Sequence, residues 1–167
     1  MTSKISKKIV AVDIDMVVCD NLVRLMRNLT PERRVDHPNF YRESEMDTDV
    51  VIEGAVEALK KIRMEYKIVF LTARPNNRSD YTHIWLTKNN LMKDGDDLVV
   101  VDKQENKIPV LLEMGENIYT FIDDFKFNYQ NSPQYNEPVL ESLKKNKIPY
   151  VIFEGDWKSI IASHFSM

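Results

Sequence analysis

The stretch that decides the fold is residues 9–15, Ile-Val-Ala-Val-Asp-Ile-Asp, an unbroken apolar run that closes on two aspartates one residue apart. A run without alternation of apolar and polar side chains is typical of a strand buried on both faces, as in a parallel sheet covered by helices. Such sheets bind their ligands at the carboxyl ends of the strands. The sequence therefore predicts that Asp13 and Asp15 stand at a ligand-binding edge.

Further strands and helices follow this first strand in alternation. Runs rich in β-branched and aromatic residues lie at 67–71, 98–101, 118–122 and 149–153. Between them, apolar residues recur at helical spacing over 52–62, 84–91, 108–114 and 139–143. This alternation predicts an α/β fold with a doubly wound, mainly parallel five-stranded sheet. The length of 167 residues predicts a single domain.

Composition excludes several classes of protein. The chain is 43% apolar and 29% charged with a net charge of -3, which predicts a folded core rather than disorder. The sequence has neither an apolar run of the about 18–20 residues that cross a bilayer nor a signal-peptide pattern, so we expect a cytoplasmic protein without membrane contact. The single cysteine, Cys19, fits a reducing compartment. The scattered glycines form no phosphate-binding loop, which argues against a nucleotide-dependent kinase or a Rossmann dehydrogenase.

A longer segment interrupts the alternation after the first strand. It extends from about residue 20 to 49 and begins with a predicted helix at 21–29. We interpret it as a small insert on the domain. It holds five of the eight arginines, at positions 24, 27, 33, 34 and 42.

Polar side chains also end the other predicted strands. Thr72-Ala73-Arg74 follows the second strand, and Asp123-Asp124 ends the fourth. Lys107 opens the helix between the third and fourth strands, and Lys103 in the preceding loop is the competing lysine. Carboxylates gathered at one sheet edge repel one another without a cation, and oxygen ligands suit Mg²⁺ better than zinc. The sequence therefore predicts a magnesium site.

The ordered set of Asp13-x-Asp15, Thr72, Lys107 and Asp123-Asp124 resembles the four motifs of the haloacid-dehalogenase-like (HAD) phosphohydrolases. The resemblance implies that Asp13 is a nucleophile that forms an aspartyl-phosphate. It implies that Asp15 protonates the leaving group and then activates water, as a carboxylate at this position does in phosphatases and phosphomutases.

The same resemblance assigns the remaining positions. Thr72 would hydrogen-bond a phosphoryl oxygen, and Lys107 would hold both the nucleophile and the phosphate. Mg²⁺ would be bound by Asp13, Asp123, Asp124 and the main-chain carbonyl of Asp15.

Two finer resemblances point towards nucleotides. Residues 13–20 look like the DxDGVLAD opening of the 5′(3′)-deoxyribonucleotidases, with Met16 where that family has glycine. Asp47-Thr48-Asp49-Val50 and Thr72-Ala73-Arg74 are similar to the phosphatase half of phage polynucleotide kinase-phosphatases. The second resemblance implies that Arg74 contacts the phosphate beside Thr72, Ala73 and Lys107. Asp123-Asp124-Phe125 lacks the arginine of that family's DDR motif.

These resemblances imply a Mg²⁺-dependent phosphomonoesterase for a nucleotide or a nucleic-acid terminal phosphate, with the insert as a small cap. The alternatives are a small-molecule (sugar) phosphatase, a phosphomutase, which generally carries a larger cap, and a non-catalytic phosphate-binding scaffold. The net charge argues against tight duplex binding. Aromatic residues that could stack a base are Phe40, Tyr41, Tyr129 and Tyr135. The choices of 3′ or 5′ phosphate, of mononucleotide or oligonucleotide, and of oligomeric state stay open.

Overall fold

A computed structural model describes residues 6–32, 35–126 and 134–165. The strands are β1 (Ile9–Val12), β2 (Cys19–Asp20), β3 (Val50–Val51), β4 (Lys67–Ala73), β5 (Asp97–Val101), β6 (Ile118–Asp123) and β7 (Tyr150–Ile152). The helices are α1 (Leu22–Arg27), α2 (His37–Phe40), α3 (Glu43–Met46), α4 (Ala55–Glu65), α5 (Ser79–Lys88), α6 (Lys107–Met114), α7 (Glu137–Lys145) and α8 (Trp157–His164). None of the helices in these ranges is long and apolar enough to cross a bilayer.

Five strands form one parallel sheet in the order β5-β4-β1-β6-β7. The predicted fold class is confirmed. The chain builds the sheet outward from β1 to β4 and β5 and then returns to place β6 and β7 on the other side. The direction in which strands are added therefore reverses between the neighbouring strands β1 and β6. Ligands of open α/β sheets bind at the carboxyl ends of the strands at such a reversal.

Alternate residues of the strands pack into separate cores on the two faces of the sheet. Val10 and Val12 of β1 belong to the core that includes side chains of α4, α5 and α8. Ala11, between them, belongs to the core that includes α6 and α7. Burial on both faces explains why the first strand is an apolar run without polar positions. Trp157 of α8 donates its indole N–H to the carbonyl of Val17, 2.9 Å away, and this hydrogen bond joins α8 to the loop after β1.

The insert is joined to the sheet by a short antiparallel pair. Cys19 of β2 pairs with Val51 of β3, and Asp20 pairs with Val50, so the two ends of the insert leave the domain side by side. Between them lie α1, α2 and α3, whose small core is formed by Leu25, Phe40, Tyr41 and Met46. The predicted boundaries at about 20 and 49 stay a prediction.

One predicted helix has different bounds in the structure. The apolar pattern placed a helix at 84–91, whereas α5 begins at Ser79 and ends at Lys88. The first turn of α5 is polar and buries the hydroxyl side chain of Thr82, while Ile84 is exposed. Apolar periodicity cannot detect a helix turn whose buried residue is polar.

Candidate active site

Three carboxylates meet where β1 and β6 end. Asp13 directly follows β1, and its backbone N–H donates to the carbonyl of Ile122, 2.9 Å away. Asp123 is the last residue of β6, and Asp124 follows it. One carboxylate oxygen from each aspartate lies within 4.8 Å of the others, and all three side chains are buried. Adjacent strand ends thus gather oxygen donors of the kind that Mg²⁺ prefers.

Lys107 lies between two of these aspartates. It is the first residue of α6 and is fully buried, with Nζ 3.1 Å from Asp13 Oδ1 and 2.9 Å from Asp123 Oδ2. Burial lowers the pKa of Lys107, but Asp123 and Asp13 outweigh burial and raise this pKa above its ordinary value. Lys103, the competing lysine of the sequence, is exposed. The structure therefore brings Lys107 to the carboxylates.

The carboxylates carry more negative charge than the lysine balances. Burial, and next the charge of Asp123, raise the pKa of Asp13 well above its ordinary value, although Lys107 lowers it. Burial and Asp123 also raise the pKa of Asp124 to about 8. Such shifts show that a further anionic carboxylate is unfavourable here, and a bound cation would relieve the repulsion.

Asp15 lies two residues after Asp13 and is held by several donors. Its Oδ1 accepts from Arg74 Nη2 at 2.8 Å, Asn21 Nδ2 at 3.1 Å and Arg24 Nη2 at 3.4 Å. Its Oδ2 accepts from Arg74 Nε at 3.1 Å. Burial raises the pKa of Asp15, but Arg74, Arg24 and Asn21 together outweigh burial and hold this pKa below its ordinary value. Oδ2, with one hydrogen bond among the described residues, is the oxygen better able to exchange a proton.

Arg74 pairs with Asp15 in the structure. Its Nε and Nη2 fork onto Asp15, and its Nη1 donates to Thr82 Oγ1 at 3.2 Å. The guanidinium is buried, so it requires a counter-ion, and Asp15 supplies it. A contact between Arg74 and phosphate stays a prediction. Ala73, the neighbouring candidate, is buried.

Thr72 lies within β4 and is fully buried. Its Oγ1 has no hydrogen-bond partner among the described residues. A buried hydroxyl without a partner costs about 1–3 kcal/mol. Such an atom in a polar site is free to bond a ligand or a water molecule.

Sequence reasoning did not assign Asn21 and Arg24, two of the residues that contact Asp15, to the site. Arg24 is fully buried, and its Nε and Nη2 lie 3.0 Å and 2.9 Å from the two carboxylate oxygens of Asp49. Its Nη1 donates to the carbonyl of Phe40 at 3.1 Å. Burial raises the pKa of Asp49 to about 6, while Arg24 opposes this shift. The acidic Asp47-Thr48-Asp49 stretch was the available signal, because a buried aspartate needs a cation nearby.

Two arginines and two aromatic residues of the insert make contacts inside it. Phe40 is 2% exposed beneath the Arg24 guanidinium, 4.1 Å from its ring centre, and Tyr41 is also buried. The prediction that these two rings stack a base is wrong, because they form the core of the insert. Arg27 pairs with Glu45 at 3.2 Å. Tyr135 is half-buried, and Lys126 Nζ lies 5.6 Å from its ring centre. Arg33, Arg34 and Tyr129 lie outside the described residues, and Arg42 is exposed.

Solved structures with the same fold identify the architecture. The class C acid phosphatase from Bacillus anthracis with tungstate bound, a HAD-superfamily enzyme, is similar over 98% of this chain and 76% of its own, with a TM-score of 0.57 and 16% identity. The fold is that of the HAD-like phosphohydrolases. A chain of the Pnkp1/Rnl/Hen1 RNA repair complex matches with a TM-score of 0.55 and 17% identity, over 92% of this chain and 44% of that one.

A second structure of the Pnkp1/Rnl/Hen1 complex gives a TM-score of 0.58 at 20% identity, over 92% of this chain and 48% of that chain. The protein thus spans about half the length of the repair-complex chains that it resembles. No protein-family model matches the sequence, and no curated protein matches it. The HAD-like resemblance of the sequence motifs is confirmed at the level of the fold.

Proposed function

We propose that the protein is a Mg²⁺-dependent phosphomonoesterase that forms an aspartyl-phosphate on Asp13. The observation that carries the proposal is the setting of Asp13. Its buried carboxylate lies 3.1 Å from Lys107 Nζ and within 4.8 Å of oxygens of Asp123 and Asp124. The unpaired hydroxyl of Thr72 offers a hydrogen bond at the end of the neighbouring strand. Anion attack on an anionic phosphate requires this kind of positive and hydrogen-bonding support.

The side chains divide the work of the reaction. An oxygen of Asp13 attacks phosphorus, the bond to the leaving oxygen breaks, and Asp15 gives that oxygen a proton through Oδ2. Water then attacks the phosphorylated Asp13, its proton passes to Asp15, and inorganic phosphate leaves. Arg74 and Arg24 hold Asp15 as an anion before substrate arrives. The negative charge of a bound phosphate favours the protonated form of Asp15 that the first step needs.

Asp13, Asp123 and Asp124 fit a magnesium ion. Their oxygens are hard donors that approach one another closely, and burial and mutual repulsion raise the pKa values of Asp13 and Asp124. The resemblance adds the main-chain carbonyl of Asp15 as a further ligand. When bound, the ion would neutralise charge on the phosphoryl oxygens. The single positive charge of Lys107, which contacts Asp13 and Asp123, cannot balance three carboxylates alone.

The substrate class that we propose is a nucleotide or a nucleic-acid terminal phosphate. Its support is the motif resemblance at residues 47–50 and 72–74, together with a fold shared with a chain of an RNA repair complex. A small-molecule phosphatase is the second candidate. It is favoured by the burial of Phe40, Tyr41 and Arg24 inside the insert, which removes them from base or backbone contacts.

A phosphate-release assay with Mg²⁺ tests both candidates. The substrates are mononucleotides, 3′- and 5′-phosphorylated oligonucleotides, sugar phosphates and nitrophenyl phosphate. We expect hydrolysis that EDTA abolishes and that Asp13→Asn eliminates, because an amide cannot attack phosphorus. Asp97→Asn is the matched control, since Asp97 is exposed at the other end of the sheet.

The outcomes separate the candidates. Preference for nucleotides or oligonucleotides supports the first, and preference for sugar phosphates supports the second. Asp13→Asn activity equal to that of the unchanged protein would refute the nucleophile assignment. No phosphate release from any substrate would leave the binding-scaffold alternative.

A further inference from the structure

An unused hydrogen-bond acceptor lies beside Asp15. In the described part of the chain, two buried side-chain polar atoms lack a partner: Thr72 Oγ1 and Asn21 Oδ1. Both belong to residues of the candidate active site. Thr72 already has an expected ligand in a phosphoryl oxygen, whereas nothing yet accounts for Asn21. Leaving such an acceptor unsatisfied is costly, so its position requires an explanation.

The orientation of the Asn21 amide is fixed by its neighbour. The carboxylate of Asp15 accepts hydrogen bonds and cannot donate them when ionised, so the group 3.1 Å from Asp15 Oδ1 is the NH₂ of Asn21. The carbonyl oxygen of the same amide is therefore the unpaired atom. Asp15 thus holds the amide that carries this oxygen, which places the unpaired acceptor in the same part of the site as the Asp15 carboxylate.

The side chain of Asn21 does not cap the helix that follows it. Asn21 is the residue before α1, where the side-chain oxygen of an asparagine usually accepts a hydrogen bond from the first turn of the helix. No such side-chain capping bond is present at α1. The amide is turned to Asp15 instead. Asn21 Oδ1 therefore stays unpaired although a capping position is within its reach, because the amide contacts Asp15.

We propose that Asn21 Oδ1 accepts a hydrogen bond from the water molecule that hydrolyses the phosphorylated Asp13. This inference rests on the proposed function. The water has two hydrogens. One passes as a proton to Asp15 as the new oxygen–phosphorus bond forms and the bond from phosphorus to Asp13 breaks. The other stays on the oxygen and becomes a phosphate hydroxyl, and Asn21 Oδ1 holds it during attack. Asn21 would thus orient a lone pair of the water towards phosphorus.

Methanol provides a sharp test, because it has one O–H hydrogen where water has two. Methanol can give its proton to Asp15 but has no second hydrogen for Asn21. Phosphorylated enzyme divides between water, which yields inorganic phosphate, and methanol, which yields methyl phosphate. With nitrophenyl phosphate as substrate, nitrophenol counts both routes and inorganic phosphate counts hydrolysis. The ratio of the products does not depend on the amount of active protein.

We expect Asn21→Ala to raise the ratio of methyl phosphate to inorganic phosphate by about three- to tenfold, the range for loss of one hydrogen bond. Asn21→Asp keeps an oxygen acceptor, so its ratio should stay near that of the unchanged protein even though its total rate falls. Asn28→Ala is the matched control. Its amide serves Arg24 and Glu45 within the insert, away from Asp15, and the product ratio should not change.

An unchanged product ratio in Asn21→Ala would overturn the inference, because a purely structural role slows both routes alike. Complete loss of turnover in both Asn21 variants would also overturn it, because the main role of Asn21 would then be to hold Asp15 through its NH₂ group rather than to orient water. Failure of the proposed function is distinguishable from both results: the unchanged protein would then release no nitrophenol, or would form no methyl phosphate in methanol.

Discussion

Arg74 and Asp15 form a two-point ion pair that joins the ends of β4 and β1. Nε lies 3.1 Å from Oδ2 and Nη2 lies 2.8 Å from Oδ1. The planar guanidinium matches both oxygens of the carboxylate at once, which fixes the plane of Asp15 as well as its position. Arg74 therefore controls the geometry of the carboxylate that we propose as the acid and base of the reaction.

Arg74→Lys tests this control. A lysine keeps the charge but cannot form the fork, so we expect kcat to fall about ten- to hundredfold for an alkyl phosphate, whose leaving group needs a positioned acid. The loss should be smaller for nitrophenyl phosphate, whose leaving group needs little protonation. Steady-state kinetics on both substrates measures the difference. Arg63→Lys is the control, because Arg63 forms a similar fork with Asp96 elsewhere. A rise in KM alone would instead favour a direct phosphate contact.

Thr82 supports Arg74 from α5. Its Oγ1 accepts from Arg74 Nη1 at 3.2 Å and donates to the carbonyl of Arg78 at 2.8 Å, and the side chain is fully buried. We expect Thr82→Val, which has the same shape without the hydroxyl, to lower kcat about three- to tenfold. Thr82→Ser keeps both hydrogen bonds and should restore most of that activity. Equal kcat values for the valine and serine variants would contradict a positioning role.

The sequence predicted the sheet and its acidic edge, because these follow from local patterns. Each strand is an apolar run, and the residues that end the runs are read directly from the chain. Of the partners of Asp15, Arg74 was read from the strand end, but Asn21 and Arg24 could not be found in this way. These two residues, and Thr82, which contacts Arg74, lie in helices or at their ends, where polar side chains look solvent-facing until the tertiary structure buries them. The prediction that Phe40 stacks a base was wrong for the opposite reason. An aromatic residue in a basic segment resembles part of a binding surface, but Phe40 lies in the core of the insert.

Magnesium should stabilise the protein through Asp13, Asp123 and Asp124. By mass action, the unfolding temperature should rise with Mg²⁺ concentration and fall back with EDTA. Above pH 8, Asp124 is ionised without metal, and Asp124→Asn then removes one of the clustered negative charges without taking a partner from Lys107, since Lys107 contacts Asp13 and Asp123. We therefore expect Asp124→Asn to unfold at a higher temperature without metal and to respond less to Mg²⁺. Thermal unfolding with and without metal measures both effects. Equal Mg²⁺ responses of the two proteins would place the ion elsewhere.

Arg24 and Asp49 should be strongly coupled in stability. Two arginines and two aspartates, Arg24, Arg74, Asp15 and Asp49, balance one another in a buried network. We expect Arg24→Gln to lower the free energy of unfolding by about 3–5 kcal/mol, because it leaves Asp49 buried without its cation. Asp49→Asn in the same chain should recover at least about 1 kcal/mol. Urea unfolding of the two single variants and the double variant gives the coupling energy. Strictly additive effects would show that Asp49 does not depend on Arg24.

Met16 lies in the tight loop between Asp15 and β2 and has a φ of 61°. The backbone carbonyl of Ile14 accepts hydrogen bonds from the N–H groups of residues 17, 18 and 19, so the loop cannot relax this angle without losing them. A side chain at a left-handed φ costs about 1–2 kcal/mol, and glycine does not bear that cost. We expect Met16→Gly to raise the free energy of unfolding by up to about 1 kcal/mol, after the greater entropy of glycine in the unfolded chain is subtracted.

Lys147→Gly is the matched control, because Lys147 has a φ of 55° and is exposed after α7. Urea unfolding compares the two variants. Stabilisation by Lys147→Gly together with destabilisation by Met16→Gly would show that packing of the Met16 side chain exceeds its backbone strain.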